Sequence, residues 1–398
     1  MVQQQYNRRN FLRMGLTGAS LFAAGGLLRH RQAMASEADT GAFYSLNNIG
    51  DLLAPDVNGV RLPSGFKSRI VARSGEAPAG LPGYIWHDSP DGGATFATDD
   101  GGWVYVSNSE VRSNGGGVGA IRFDASGEVI DAYRILDNTS VNCAGGATLW
   151  GSWLSCEEFP RGQVYECDPM GIKPAVVRPA LGTFRHEAVA VDALNQCLYL
   201  TEDLPDGGFY RFRPDKPLPD LGSGVLEIAS VVESDGSSFI EWLAVPDPLA
   251  MRQDTRKQVL GYKVFSGGEG IAIYDNNAYF TTKHDNRVWC YDVVSQQLTI
   301  VYDIATSNTP ILKGVDNVII TASGDVLIAE DGDDMQLVVL TPDERVIPLL
   351  QIIGHDLSEI TGPAFDPSYQ RLYFSSQRGS LGNSSGGITY EISYVGVT

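Results

Sequence analysis

The sequence has few basic residues, few histidines and no long apolar run. Of its 398 residues, 29 are Lys or Arg, 48 are Asp or Glu and 5 are His. The net charge of −19 repels nucleic acid and anionic lipid, so we expect neither nucleic-acid binding nor stable membrane association. A conventional serine or cysteine hydrolase is also disfavoured, because no histidine lies in a nucleophile-elbow context.

The first 35 residues have the pattern of an export signal. Residues 7–13 (NRRNFLR) carry a twin-arginine signature, residues 14–28 are mildly apolar, and residues 33–35 (AMA) form a cleavage site before Ser36. The apolar stretch is shorter than the ~20 residues of a membrane span and is glycine-rich. We expect a signal peptide recognised by the twin-arginine export machinery, and a periplasmic or secreted protein; a short N-terminal anchor is the alternative.

The remainder of the chain is more acidic still. The signal segment contains five arginines and no acids, which leaves 24 basic and 48 acidic residues and a net charge of −24. The electrostatic field of so negative a protein repels anionic substrates unless bound cations reverse its sign locally. Calcium loading would explain the excess, and so would a need for solubility alone.

Five cysteines are an odd number for an exported protein. Cys156 and Cys167 flank a predicted turn and could form a disulfide if their Cα spacing permits it. Cys197 and Cys290 lie in apolar runs and are interpreted as core residues. Cys143 is left over, and its glycine-rich surroundings are unusual for a residue that only packs.

Helical periodicity is almost absent. Short alternating or apolar runs bounded by Gly, Asp, Asn and Pro predict strands and tight turns. The runs recur in similar units, of which the first covers residues 94–135. Further units begin near Cys143, Glu187, Glu269, Asp316 and Glu359.

This repeat predicts an all-β fold, a six-bladed β-propeller that forms a single domain over residues 36–398. The early run 66–73 is expected to complete the last blade and close the ring, which removes open sheet edges. Residues 218–262 are expected to be an insertion, and a count of seven blades stays open.

The repeat also places polar residues at equivalent positions. In an antiparallel blade, the start of the innermost strand and the end of the second strand lie at the same edge. The starting positions are Asp91, Cys143, His186-Glu187, Glu269, Asp316 and Glu359, and the ending positions are Asn108, Glu157-Glu158, Glu202-Asp203, His284-Asp285 and Glu330-Asp331. Crowded carboxylates repel one another, so we expect bound cations at the mouth of the channel. Taken singly, each acid would more often cap a turn or lie in water.

Several of these motifs resemble the PhoX-type alkaline phosphatase family. The resemblance rests most on residues 142–146 (NCAGG), 150–153 (WGSW) and 156–158 (CEE). Weaker matches are residues 186–188 (HEA), 199–203 (YLTED), 269–270 (EG), 316–317 (DN), 329–332 (AEDG) and 359–363 (EITGP). The likeness runs from about Gly92 to Gly379, and the family's twin-arginine export agrees with the N-terminus.

The resemblance implies a propeller whose central site holds iron and calcium and acts on a small phosphorylated substrate. It implies iron on the Cys143 thiolate with Glu158, Glu187 and Glu269, and calcium on Asp316, Glu330 and Glu359, with Glu202 as a further candidate. Thiolate with carboxylate suits ferric iron, whereas calcium selects oxygen ligands. Asn108 and Glu269 are the candidate catalytic residues.

Two departures from the family pattern concern the substrate. Residues 108–110 read Asn-Ser-Glu where the family has Asn-His-Glu, and residues 267–268 are Gly-Gly where it has Arg-Pro. An arginine expected to bind phosphate is therefore missing. Lys283, Arg287 and Arg378 are the candidates to replace it.

The leading functional prediction is an exported phosphomonoesterase or phosphodiesterase. A calcium-dependent lactonase or esterase, with calcium near residues 316–317 and 330–331, is the second. That chemistry has no need of the Cys143 thiolate. A non-catalytic, ligand-binding propeller with structural metals is the third.

Overall fold

The protein consists of short antiparallel strands in a computed structural model that describes residues 41–396. The predicted signal peptide, residues 1–35, lies outside this range. Within residues 41–396 the helical segments are 3-10 turns, and none has the length and apolarity that crossing a membrane requires.

The strands follow one another with short turns between them. The first six are β1 (Val60–Arg61), β2 (Phe66–Arg73), β3 (Pro90–Ala97), β4 (Trp103–Ser109), β5 (Gly116–Phe123) and β6 (Val129–Thr139). The next nine are β7 (Asn142–Ala147), β8 (Trp153–Glu157), β9 (Val164–Cys167), β10 (Val176–Val177), β11 (His186–Asp192), β12 (Cys197–Glu202), β13 (Phe209–Pro214), β14 (Gly224–Ser234) and β15 (Ser237–Ala244). The last eleven are β16 (Gly268–Tyr274), β17 (Asn277–Thr282), β18 (Arg287–Asp292), β19 (Gln297–Asp303), β20 (Val315–Ile320), β21 (Val326–Glu330), β22 (Gln336–Leu340), β23 (Val346–Ile352), β24 (Ile360–Phe365), β25 (Arg371–Ser376) and β26 (Ile388–Tyr394).

These strands form five hydrogen-bonded sheets. Strands β3 to β6 form one sheet and β7 to β10 another. Strands β20 to β23 add β1 at their outer edge, and β24 to β26 add β2, which pairs along its length with β26. Strands β11 to β19 form a nine-stranded sheet in which β15 pairs with β19 through Ser238↔Leu298 and Phe239↔Gln297. Strand β14 lies within residues 218–262, which were predicted to be an insertion, but it pairs with β13 as a regular strand of this sheet.

The first strands of the repeating units lie next to one another. Strand β3 contacts β7, β7 contacts β11, and the series continues through β16, β20 and β24 back to β3. The prediction of an all-β, propeller-like fold is therefore confirmed. The hydrophobic core lies in layers between neighbouring sheets, as in the stacked rings of Phe209 and Phe280, whose centroids are 4.4 Å apart.

All five cysteines are free thiols. The possible disulfide between Cys156 and Cys167 is absent because the hairpin register offsets the two residues: Cys156 lies opposite Val164, and Cys167 lies opposite Trp153. Cys197 is buried in the core as predicted.

A buried ion pair fastens the segment after β15 to the end of β12. The Glu202 carboxylate is fully buried; it accepts hydrogen bonds from Arg256 Nη1 at 2.9 Å, the Tyr210 hydroxyl at 2.8 Å and the Gly208 amide at 3.0 Å. Burial raises the pKa of Glu202 to about 7, although the Arg256 guanidinium opposes the rise. Arg256 lies in the 3-10 turn Thr255–Gln258, and only 7% of its side chain is exposed.

Replacing Arg256 by Met should destabilise the fold, because it leaves the Glu202 carboxyl buried without its charged partner. We expect the free energy of unfolding to fall by about 3–5 kcal/mol, the usual cost of breaking a buried pair from one side. Arg345→Met is the matched control: its pair with Asp343 is exposed to solvent, so its loss should change the free energy of unfolding much less. Equal losses in denaturant titrations of the two variants would contradict this account.

Candidate functional site

Each first strand has a β-bulge directly after its first paired residue, or, in β24, after its second. The register shifts lie between Pro90 and Gly93, Asn142 and Gly145, His186 and Val189, Gly268 and Ile271, Val315 and Val318, and Thr361 and Ala364. A bulge leaves extra residues unpaired and re-aims their side chains. In five of these strands the first unpaired residue is an acid or the thiol: Asp91, Cys143, Glu187, Glu269 and Asp316. In β24 this position is Gly362.

Small residues follow the acids and let the first strands approach closely. A Cβ added to Gly270 would lie 2.4 Å from the Val318 nitrogen, and one added to Gly92 would lie 2.5 Å from the Ala144 Cα. Side chains at these positions would push the strands apart. The close approach brings the acids of neighbouring strands together.

Second strands hold the bulges of the next hairpin in place. The Thr201 hydroxyl donates to the Glu269 carbonyl at 2.5 Å, and the Thr281 hydroxyl donates to the Asp316 carbonyl at 2.6 Å. The Asn108 amide donates to the Cys143 carbonyl at 2.9 Å. The backbone of three functional side chains is thus fixed from the preceding hairpin.

The resulting cluster, named here the acidic ring, consists of four overlapping groups of possible metal ligands within residues 41–396. In each group the ligand atoms lie within 4.8 Å of one another. The groups are Cys143, Glu158 and Glu187; Glu187, Glu269 and Asp316; Asp316, Asp331 and Glu359; and Asp91, Glu110 and Glu359. The Cys143 thiol completes the ring, since its Sγ lies 3.2 Å from Glu187 Oε1 and 3.5 Å from Asp91 Oδ2.

Three basic side chains reach the acidic ring. Lys283 Nζ lies 3.2 Å from Glu269 Oε1, 3.5 Å from Asp316 Oδ2 and 3.2 Å from Asp331 Oδ2. Arg378 pairs with Glu359 at 2.9 Å and with Asp331 at 3.4 Å, and Arg185 pairs with Glu158.

Of the three proposed substitutes for the missing arginine, Lys283 and Arg378 therefore lie at the ring. Arg287 pairs instead with Asp285 and Asp303. Arg185 was not anticipated from the sequence, where it stands beside the more conspicuous His186. The His186 ring is fully buried against Phe184, and burial lowers its pKa to about 3.

Burial controls the electrostatics of the ring. It raises the pKa of Glu187 and of the Cys143 thiol well above their usual values, and neighbouring carboxylates add to both effects. Burial also raises the pKa of Glu158 to about 8 and that of Asp316 to about 6. The Glu187 Oε2 atom is buried with no hydrogen-bond partner. The ring therefore holds a carboxyl oxygen that the protein's own donors do not satisfy, which fits a site for cations.

Glu202 and Glu330 do not join the acidic ring, contrary to the sequence-based expectation. They are the last paired residues of β12 and β21, opposite His186 and Val315. Glu330 instead accepts hydrogen bonds from the backbone amides of Lys313 and Gln336 at 2.9 and 3.0 Å. Glu202 is held by Arg256, as described above.

In each hairpin, the residue after the last paired position of the second strand lies in the acidic ring or contacts a side chain at the ring. These residues are Glu110, Glu158, Asp203, Lys283, Asp331 and Gln377. Because side chains alternate along a strand, neighbouring acids point to opposite sides. The motifs Cys-Glu-Glu, Thr-Glu-Asp and Ala-Glu-Asp each end a second strand. Aligning their third residues with Glu158 would have predicted Asp203 and Asp331, rather than Glu202 and Glu330, as the acids near the ring.

Asn108 has a different environment from that expected of a catalytic residue. Its amide donates to the carbonyls of Cys143 and Ala144, and its oxygen accepts from Trp153 Nε1 and the Ser155 hydroxyl, each at 2.9 Å. The side chain is fully buried, and its hydrogen bonds are made within the protein. Asn108 therefore positions the Cys143 bulge.

The other predicted site residues, Cys143, Glu158, Glu187, Glu269, Asp316 and Glu359, lie in the acidic ring. The sequence-based ligand set lacked Asp91, Glu110 and Asp331. Gln377 is a further member of the neighbourhood: its amide donates to Asp91 Oδ2 at 2.7 Å and to Glu110 Oε2 at 2.8 Å.

Comparison with solved structures gives matches over most of the chain. Pseudomonas fluorescens PhoX in complex with vanadate, a transition state analogue, matches with 16% identity and a TM-score of 0.72, over 87% of this chain and 98% of that one. A structural genomics protein of unknown function from Bacteroides thetaiotaomicron matches with 10% identity and a TM-score of 0.51, over 86% and 83%. A Xanthomonas campestris gluconolactonase matches with 12% identity and a TM-score of 0.48, over 88% and 99%. At these identities, the first two matches show a common fold.

Sequence comparison supports the resemblance independently of the fold. No curated protein matches the chain. The family model of alkaline phosphatase PhoX matches residues 104–166 and 160–297, which include Cys143, Glu158, Glu187 and Glu269. The chain therefore resembles the PhoX alkaline phosphatase family in sequence over residues 104–297 and in fold over most of its length.

Proposed function

We propose that the chain is an exported, metal-dependent phosphatase that hydrolyses phosphomonoesters or phosphodiesters at the acidic ring. The match to the PhoX family model supports phosphatase chemistry. The observation that carries the proposal is the convergence of one thiol and several buried carboxylates at a single edge of the first strands. The metals are proposed to be iron and calcium.

The residues of the first ligand group fit iron. Cys143, Glu158 and Glu187 offer one sulfur and two carboxylates, a donor set suited to ferric iron. Glu187 Oε2 is buried without a partner and is available to a cation. Binding requires the thiolate form of Cys143, which a nearby metal charge favours.

The group of Asp91, Glu110 and Glu359 fits calcium, because it contains only oxygen donors. Glu359, which was predicted from the sequence to bind calcium, is a member of this group. Asp316, the other predicted calcium ligand that lies in the ring, shares its group with Asp331 and Glu359.

Bound metals would supply positive charge that stabilises the phosphoryl transition state and the leaving oxygen. The chain's own residues would bind and orient the substrate. Arg185 and Arg378 are partly exposed, with 30–31% of each side chain accessible, so their N–H groups can meet phosphate oxygens at the acidic ring. Glu269, 1% exposed, would act by orienting the Lys283 ammonium beside the reacting group.

The blade count is part of the proposal. Division of the nine-stranded sheet at the β15–β19 contact gives two units of the same strand order as the others, and so six blades. The pairing of β2 with β26 supports closure of the ring by the N-terminal strand.

Export by the twin-arginine pathway is proposed from residues 7–13 and the cleavage site before Ser36. Replacing Arg8 and Arg9 by Lys keeps the charge but removes both guanidinium groups. We expect the precursor to accumulate in the cytoplasm, whereas the unchanged chain should yield a periplasmic or secreted product whose N-terminal sequence starts at Ser36. Equal export of both forms in cell fractionation would contradict the pathway.

Cys143→Ser should lower iron content and phosphatase activity together, because it removes the sulfur ligand. We expect an activity loss of more than about 100-fold, beyond the usual effect of a residue that only supports a ligand. Elemental analysis and hydrolysis of an aryl phosphate at alkaline pH measure the two effects. Cys290→Ser, which alters a thiol on β18 that contacts Asn277, is the matched control and should change neither.

Three results would contradict this proposal. Unchanged iron in Cys143→Ser would remove the ligand assignment. No turnover of phosphomonoesters or diesters by fully metallated protein would exclude the phosphatase. Lactone hydrolysis with calcium alone would favour a lactonase instead.

A further inference from the structure

Two hairpins depart from the charge pattern of the acidic ring: β24–β25 supplies the neutral Gln377, and β16–β17 supplies a positive charge. At the position after the last paired residue of the second strand, four hairpins supply a carboxylate, from Glu110, Glu158, Asp203 and Asp331. The β16–β17 hairpin supplies Lys283 there. We propose that the Lys283 ammonium is a built-in cation that takes the place of one divalent metal ion. The inference rests on the proposed metal centre.

The ammonium has the surroundings of a bound cation. Three carboxylates from two neighbouring hairpins lie within 3.5 Å of Nζ: Glu269 from its own hairpin, and Asp316 and Asp331 from the next. The backbone amide of Lys283 donates to the Gly267 carbonyl at 2.7 Å, which anchors the residue opposite the start of β16. Backbone and charge therefore both hold Lys283 in this place.

Donors are distributed unevenly around the ring. On the side of Lys283, Asp316 Oδ1 accepts from the Asn317 amide at 2.8 Å, and Asp331 and Glu359 pair with Arg378. Glu187, whose carboxylate lies within 4.8 Å of Glu269 and Asp316, forms no salt bridge with any described residue, and its Oε2 has no hydrogen-bond partner. The chain thus compensates part of the ring itself and leaves the Glu187 carboxylate to a metal.

An ammonium and a calcium ion satisfy carboxylates differently. Calcium brings two charges and binds oxygens at about 2.3–2.6 Å, whereas an ammonium brings one charge and three N–H donors. The ammonium is covalently tethered, so its occupancy does not depend on the free metal concentration. Metal ions are then confined to the ligand groups that Lys283 does not reach.

Removal of the ammonium should open a metal position. Lys283→Met keeps most of the side-chain volume and removes the charge. After equilibrium dialysis against calcium, elemental analysis should find about one more calcium ion per chain in Lys283→Met than in the unchanged protein. Lys216→Met is the control: it also removes one positive charge, from an exposed residue paired with Asp220, and should leave the metal content unchanged. An equal or lower calcium content in Lys283→Met would overturn the inference.

A second variant tests the same idea without altering Lys283. Asp331→Asn removes a partly exposed carboxylate from the three that surround the ammonium. If Lys283 occupies this position, the calcium content of Asp331→Asn should equal that of the unchanged protein. Loss of one ion would mean that Asp331 binds a metal, and would overturn the inference even if Lys283→Met fails to fold.

Failure of this inference differs from failure of the proposed function. Metal-free, inactive protein would refute the proposed phosphatase. If the unchanged protein is active and metal-loaded, but Lys283→Met contains no more calcium than the unchanged protein, only the role of Lys283 is refuted.

Discussion

Repulsion among buried carboxylates is the constraint on which the rest of the structure depends. Burial and mutual repulsion raise the pKa values of Glu187, Glu269 and Glu359 well above normal, so the ring is costly to form in its charged state. A fold that tolerates this cost must fix the acids firmly and supply positive charge. Both features are present in the protein.

Backbone contacts hold the acids against their repulsion. The β-bulges aim the side chains, the small residues behind them allow close packing, and hydroxyl or amide groups such as those of Thr281 and Asn108 bind the bulge carbonyls of the next sheet. Arg185, Lys283 and Arg378 then compensate part of the charge. The same devices would hold metal ligands in place before a metal binds, which limits the ordering that binding requires.

Much of the fold, and the edge of the strands at which the site lies, could be predicted from the sequence. Short strand runs with turn residues between them indicated the repeat, and a polar residue at the start of each first strand indicated one shared edge. The pattern did not distinguish adjacent acids, because the choice between Glu202 and Asp203, or Glu330 and Asp331, depends on strand register. A shift of one residue moves a side chain to the other face.

The sequence by itself determined the all-β repeat, the resemblance to PhoX and the strand positions that carry acids, because these depend on local periodicity and short motifs. Only the tertiary structure decided which acids meet and that Lys283 lies among them. It also decided that Asn108 binds the backbone carbonyls of the Cys143 bulge and that Cys156 and Cys167 are not paired. The physical reason is that these contacts join hairpins far apart in the chain, and their geometry depends on register and on the approach of neighbouring sheets.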